Sequence, residues 1–203
     1  MDRAEQILAV VEPLFGARFQ QSAREIETYC AEHGAEIAGA TVAAFQDAFT
    51  QAAKLQASGK KGAMRHLVLS HLYGDAQAGC YTVKIDLFDR RFYADRAEVD
   101  SYLELGWLNL FLDEDMVFFQ KELAKHFPPL RKYELEQVRF QYIGYYHSAA
   151  LSYFRDGMPS IMQLPEFQAL EREPDFEVLF GGYMDKAIVI WRAGGDADEV
   201  LLD

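Results

Sequence analysis

From Lys132 to Arg155 the chain reads KYELEQVRFQYIGYYHSAALSYFR, without a proline, and this stretch limits the choice of fold more than any other. Val138, Tyr142, Tyr145, Ala149 and Tyr153 recur by four, three, four and four. Phe140, Ile143, Leu151 and Phe154 form a second row, which His147 completes. A helix apolar on two rows has little face left for water and belongs inside a protein. Its length, about 36 Å at 1.5 Å per residue, matches the width of a small domain. Gly144 costs such a helix roughly 1 kcal/mol and is expected to let another backbone approach at its middle. The spacing therefore predicts a central helix over about 132–155, wrapped by everything else.

The remaining periods supply the wrapping. Residues 3–57 are helical by period. Pro13 restricts the residue before it, and His33-Gly34 offers a glycine stop, so a helical hairpin over 3–57 is expected. Its second arm would carry Ile37, Thr41, Ala44, Phe45, Ala48, Ala52 and Leu55. The period then shortens to two. His66 to Tyr73 and Cys80 to Phe88 read as strands joined through GDAQAG, a first β-hairpin over 65–88. In the second strand Tyr81, Val83, Ile85 and Leu87 alternate with Thr82, Lys84 and Asp86, so one face should be dry and the other wetter.

Asp95-Arg96-Ala97-Glu98 has the form of a capping box, which predicts helices over 96–156, interrupted at Asp113-Glu114-Asp115 and at Pro128-Pro129. The central helix should end near Asp156-Gly157, with a short helix after Pro165. Phe176 to Phe180 and Ala187 to Arg192 flank GGYMD as a second β-hairpin over 175–192. The stretch Ala187 to Trp191 is apolar on both faces, as expected inside a sheet. Residues 194–203 read as a loose acidic tail. Together these predict one α+β domain over 1–203: an antiparallel sheet of about four strands from two hairpins, packed by helices on one face.

Charge and composition exclude some functions. The net charge of −12 divides as −3 over residues 1–101 and −9 over 102–203. That field repels polyanions, so nucleic acid and anionic membrane are not expected as partners. No window is apolar enough to span a bilayer, and the first 15 residues lack a signal-peptide pattern, so the expected location is the cytoplasm. Cys30 and Cys80 have no CxxC partner and read as ordinary half-buried thiols.

The chemistry-bearing motifs are sparse. The five histidines, His33, His66, His71, His126 and His147, form no HxH, HxxxH or HExxH pair, so no metal is assigned. SGKKGAM at 58–64 lacks the glycine and hydroxyl of a phosphate loop. The acids Asp86, Asp89, Asp95, Glu98 and Asp100 do not match calcium-loop spacing. No GxSxG, SxxK or dinucleotide glycine set occurs.

The central helix gathers the best candidates for a ligand: Arg139, Tyr142, Tyr145, Tyr146 and His147, with donors, a fixed cation and a group that titrates near neutrality. The sequence thus favours a non-catalytic binding or protein-interaction protein with a small-molecule pocket beside this helix and no cofactor. The alternative is a small enzyme using His147 with tyrosines or carboxylates as general acid and base. Surplus apolar residues at Phe118-Phe119 and Trp107 to Leu112 favour a homodimer.

Overall fold

The computed structural model describes residues 2–72, 74, 78–194 and 201–202. The fold is α+β, in two compact units: Met1–Gly34, Gly74–Tyr81 and Leu105–Ala149 form the first, and Ala35–Tyr73, Thr82–Glu104 and Ala150–Asp203 the second. Among the described residues the helices in chain order include α1 (Arg3–Ala57), α2 (Gly106–Ala124), α3 (Lys132–Ile161) and α4 (Pro165–Gln168).

The first difference from expectation is α1, which is one helix of 55 residues rather than a helical hairpin. Pro13 lies inside it, exposed, between the buried Val11 and Phe15. The penalty of a helical proline, ~3 kcal/mol, falls on a turn whose apolar neighbours are anchored on both sides. Gly34 meets nothing within 4 Å of its Cβ direction and does not adopt the left-handed conformation that would stop the helix.

The first unit is helical. In α2 the buried residues Leu108, Leu112, Asp115, Phe119 and Leu123 recur by four, three, four and four. The acidic triplet therefore does not break this segment. Asp113 and Glu114 face water, whereas Asp115 occupies a core position. In α3 the buried row of this unit is Glu134, Val138, Tyr142 and Tyr146, with Ile143 beside it. Gln141, Gly144 and Ser148 are exposed, and nothing approaches Gly144, so the expected close backbone contact is absent there. The helix is one-sided, with Phe140 55% exposed.

The second unit holds the sheet, with strands β1 (Met64–His71), β2 (Thr82–Asp89), β3 (Ser101–Glu104), β4 (Arg172–Gly182), β5 (Ala187–Arg192) and β6 (Leu201–Leu202), in the order β3-β2-β1-β4-β5-β6. Both expected hairpins form, β1 with β2 and β4 with β5. They join through β1 and β4, which run parallel, so the sheet is mixed and not a four-stranded antiparallel one. Residues 75–77 of the expected hairpin loop, Tyr73 of the first expected strand and 195–200 of the tail lie outside the described residues. Leu201 and Leu202 pair with β5.

The stretch at Asp95 to Glu104 is extended, not helical. Asp95 accepts the Lys61 ammonium and the Ala97 amide, which satisfies it without a helix behind it. Ser101 and Leu103 then point inward while Tyr102 and Glu104 point out, the two-residue period of β3.

One face of the sheet carries Leu67, Leu69, Val83, Ile85, Leu103, Val178 and Phe180, by the registers of their strands. Helices pack on this face: Phe154 of α3 lies 5.8 Å from Phe180, and Ser101 Oγ donates to the Ala44 carbonyl of α1. Phe45, Phe49, Met158 and Ile161 complete the layer, and the last two carry α3 past Pro159 to Ile161, beyond its expected end. The other face holds Val68, Phe88, Leu179, Ala187 and Val189, partly covered by Phe92 of a single 3-10 turn. Lys84 and Asp86 lie on this face at 7% and 3% exposure, so the side expected to be wetter is closed over them as well.

Candidate functional site

A buried carboxylate draws in two of the five residues singled out from the sequence. Asp115 is 0% exposed. Its Oδ2 accepts the Tyr142 hydroxyl at 2.6 Å and the Tyr146 hydroxyl at 2.7 Å. Its Oδ1 accepts Ser22 Oγ at 2.7 Å and the Arg18 guanidinium. Helical spacing explains the convergence: Tyr142 and Tyr146 are one turn apart on α3, and Arg18 and Ser22 one turn apart on α1. Burial, and then the charge of Asp115, pushes both phenols well above the ordinary tyrosine value. At neutral pH both phenols are therefore neutral hydrogen-bond donors.

The other three candidates make separate partnerships. Tyr145 is half-buried among rings, 5.2 Å from Phe19 and 5.5 Å from Tyr142. Arg139 donates to Asp113 at 2.6 Å and to Asn109 at 2.8 Å. His147 Nδ1 lies 2.6 Å from the hydroxyl of Tyr81, itself 2% exposed. Ser22, Arg18 and Tyr81 carry no mark in the sequence as partners of these residues. The signal for Asp115 was present, since it continues the four-three-four spacing of apolar residues in α2.

Beside the start of α3 the same unit opens a groove of about 510 Å³. Ala4 and Leu8 of α1 and Tyr133 and Phe140 of α3 supply its apolar lining; Asp2, Glu5 and Glu136 supply carboxylates. The walls are fixed by Arg3, whose Nε donates to Glu134 at 2.6 Å and whose Nη2 donates to the Pro129 carbonyl at 2.9 Å. Hydrogen bonding from Arg3 holds the Glu134 carboxyl below its ordinary value. Asp2 and Glu5 accept each other's backbone amides as a reciprocal cap on α1. Tyr133 is 49% exposed at the rim.

The remaining polar groups of interest lie in the second unit. Lys61 is bound to Asp95, with side chains 1% and 0% exposed. Lys84 Nζ lies 3.1 Å from Asp86, whose carboxyl is raised by burial. In the first unit Cys30 and Cys80 are half-buried thiols, and burial raises the Cys30 thiol. Among the described residues no set of three or more His, Cys, Asp or Glu is arranged to hold a metal ion. Among the same residues no helix is long and apolar enough to cross a membrane. Comparison of the chain with protein-family models, with curated proteins and with solved structures finds no match.

Proposed function

We propose that this chain is a binding protein without catalytic chemistry of its own, and that its partner is a protein segment laid in the groove beside the start of α3. The groove carries the reading: its lining is apolar at Leu8, Tyr133 and Phe140, and the charged residues that line it are all carboxylates. Large half-exposed aromatics are what a partner's apolar face covers, and like-signed rim charges select a partner of opposite sign. The occupant is therefore an amphipathic segment, apolar on one side and rich in lysine or arginine on the other. Lys132 lies 3.5 Å from Glu136 in an exposed pair, which a partner's cation can replace at little cost.

The test uses a synthetic helical peptide with leucines on one face and lysines on the other, and a control with glutamates in place of the lysines. The lysine peptide is expected to bind, more weakly as salt rises, and the control is not. Phe140→Ser and Leu8→Ser should each weaken binding about tenfold or more. Equal binding of both peptides, or an unchanged affinity in Phe140→Ser, would overturn the assignment.

The alternative, a small enzyme working through His147, draws its support from the short Tyr81 to His147 contact. His147→Gln separates the two readings, because it lies outside the groove and should leave peptide affinity unchanged. Self-association is a separate question, since Leu110 and Val117 of α2, outside the groove, are 55% and 49% exposed. A solution mass near the 23.2 kDa of one chain would exclude a homodimer.

A further inference from the structure

The longest slip in register lies where β1 and β4 begin. Met64 pairs with Arg172, but His66 already pairs with Glu177, so two steps along β1 meet five along β4. Residues 173–176 bow out opposite Arg65. Irregularities of this kind interrupt the pairing of two strands and re-aim side chains, which is why they recur beside binding sites.

A groove of about 400 Å³ opens at the bow, lined by Arg65, Asp175, Glu177 and Arg192 with apolar residues between. Two guanidiniums thus face two carboxylates. Arg65 Nη2 lies 2.9 Å from Asp175, an exposed pair, and Arg192 Nε lies 3.4 Å from Glu177. The second distance is long for an arginine–carboxylate contact, which closes to 2.7–2.9 Å when well made. His66 Nδ1, at 3.3 Å from the other oxygen of Glu177, is not aligned as a hydrogen bond.

Arg65 Nε is buried and has no hydrogen-bond partner among the described residues. A buried N–H without an acceptor is costly, and a turn of this half-exposed side chain would offer the donor to an acceptor held in the groove. A lone anion would satisfy that donor but would sit against Asp175 and Glu177. A lone cation would sit against the two arginines. A molecule carrying both charges meets all four groups, and each existing ion pair exchanges partners without leaving a charge unmatched.

We propose that this groove binds a small zwitterion, with a phosphate or carboxylate group taken by Arg65 and Arg192 and an ammonium group taken by Asp175 and Glu177. The site lies in the second unit and is independent of the peptide groove, so either can fail without the other.

Full-length protein with nitrogen-15 in its arginines tests this, through the NMR signal of the Arg65 Nε–H. The probes are phosphoethanolamine, β-alanine, inorganic phosphate and ethylamine. One of the two zwitterions should move the signal saturably, and which one does so distinguishes phosphate from carboxylate. Inorganic phosphate and ethylamine should bind about tenfold more weakly or worse, each lacking one charge-assisted contact. Asp175→Asn should weaken the zwitterion by a similar factor while leaving inorganic phosphate no weaker. Arg65→Lys keeps the charge but lacks the Nε–H, and should lose zwitterion binding read by calorimetry. If no probe moves the signal, the groove takes none of these molecules and the proposal fails. It fails equally if inorganic phosphate binds as well as either zwitterion.

Discussion

Asp115 in the first unit and the groove at Arg65 in the second are both clusters of charge and hydrogen-bonding groups, and they differ in how those groups are matched. Around Asp115 one carboxylate receives a guanidinium and three hydroxyls, and its side chain is sealed from water. At Arg65 two cations and two anions share one open groove, one contact is long, and a buried donor is left over. A closed and complete network fixes side chains and has little left for a ligand. An incomplete one at the surface retains capacity to bind. The tyrosines that drew attention in the sequence belong to the first kind.

Mutations can break that contrast. Asp115→Ala leaves a half-buried guanidinium and the two buried phenols unmatched, and should cost about 3–5 kcal/mol in urea-induced unfolding. A loss under about 1 kcal/mol would mean the network contributes little to stability. Tyr142→Phe and Tyr146→Phe each remove one donor, and should cost about 1 kcal/mol apiece. Because both hydroxyls share Oδ2, a double-mutant cycle should show coupling; strict additivity would deny that they act as a unit.

High pH probes the same pair. Their folded pKa values lie above the unfolded value of about 10, so the stability they contribute is intact below that pH and declines as the pH rises above it. Tyr142→Phe/Tyr146→Phe should flatten the decline. Phenolate absorbance in the native protein should show these two tyrosines still neutral well above pH 10. The smallest effect belongs to the other cluster. Asp175→Asn and Arg65→Lys should change stability by no more than about 0.5 kcal/mol, as substitutions in an exposed pair do, while Asp175→Asn weakens zwitterion binding about tenfold and Arg65→Lys removes it. Destabilisation comparable to that of Asp115→Ala would place the groove with the closed networks instead.

Period and spacing made the class, the helix from Lys132 and both hairpins readable, because burial of one face imposes them on the sequence; the wrapping expected around that helix is not found. Pairing between hairpins is not written in either one, so the parallel β1–β4 contact went unseen. The helix stops failed for a related reason. Proline and glycine weaken a helix locally, but the anchoring of Val11 and Phe15 on either side of Pro13 decides whether it continues. At the site, sequence reading found the tyrosines but not their common acceptor, since Asp115 lay in an acidic triplet that resembled a loop. Arg65 carries no local mark at all. Its significance arises from a slip between strands about a hundred residues apart.

The adjacency of β1 and β4 has a consequence for how the molecule is made. A ribosome releases the first hairpin long before the strand that flanks it exists, so the apolar edge of β1 must wait with its amides and carbonyls unpaired. During that interval the nascent chain is open to mispairing with any extended neighbour, and quick delivery of the last third of the polypeptide, or a chaperone's shelter, decides the yield.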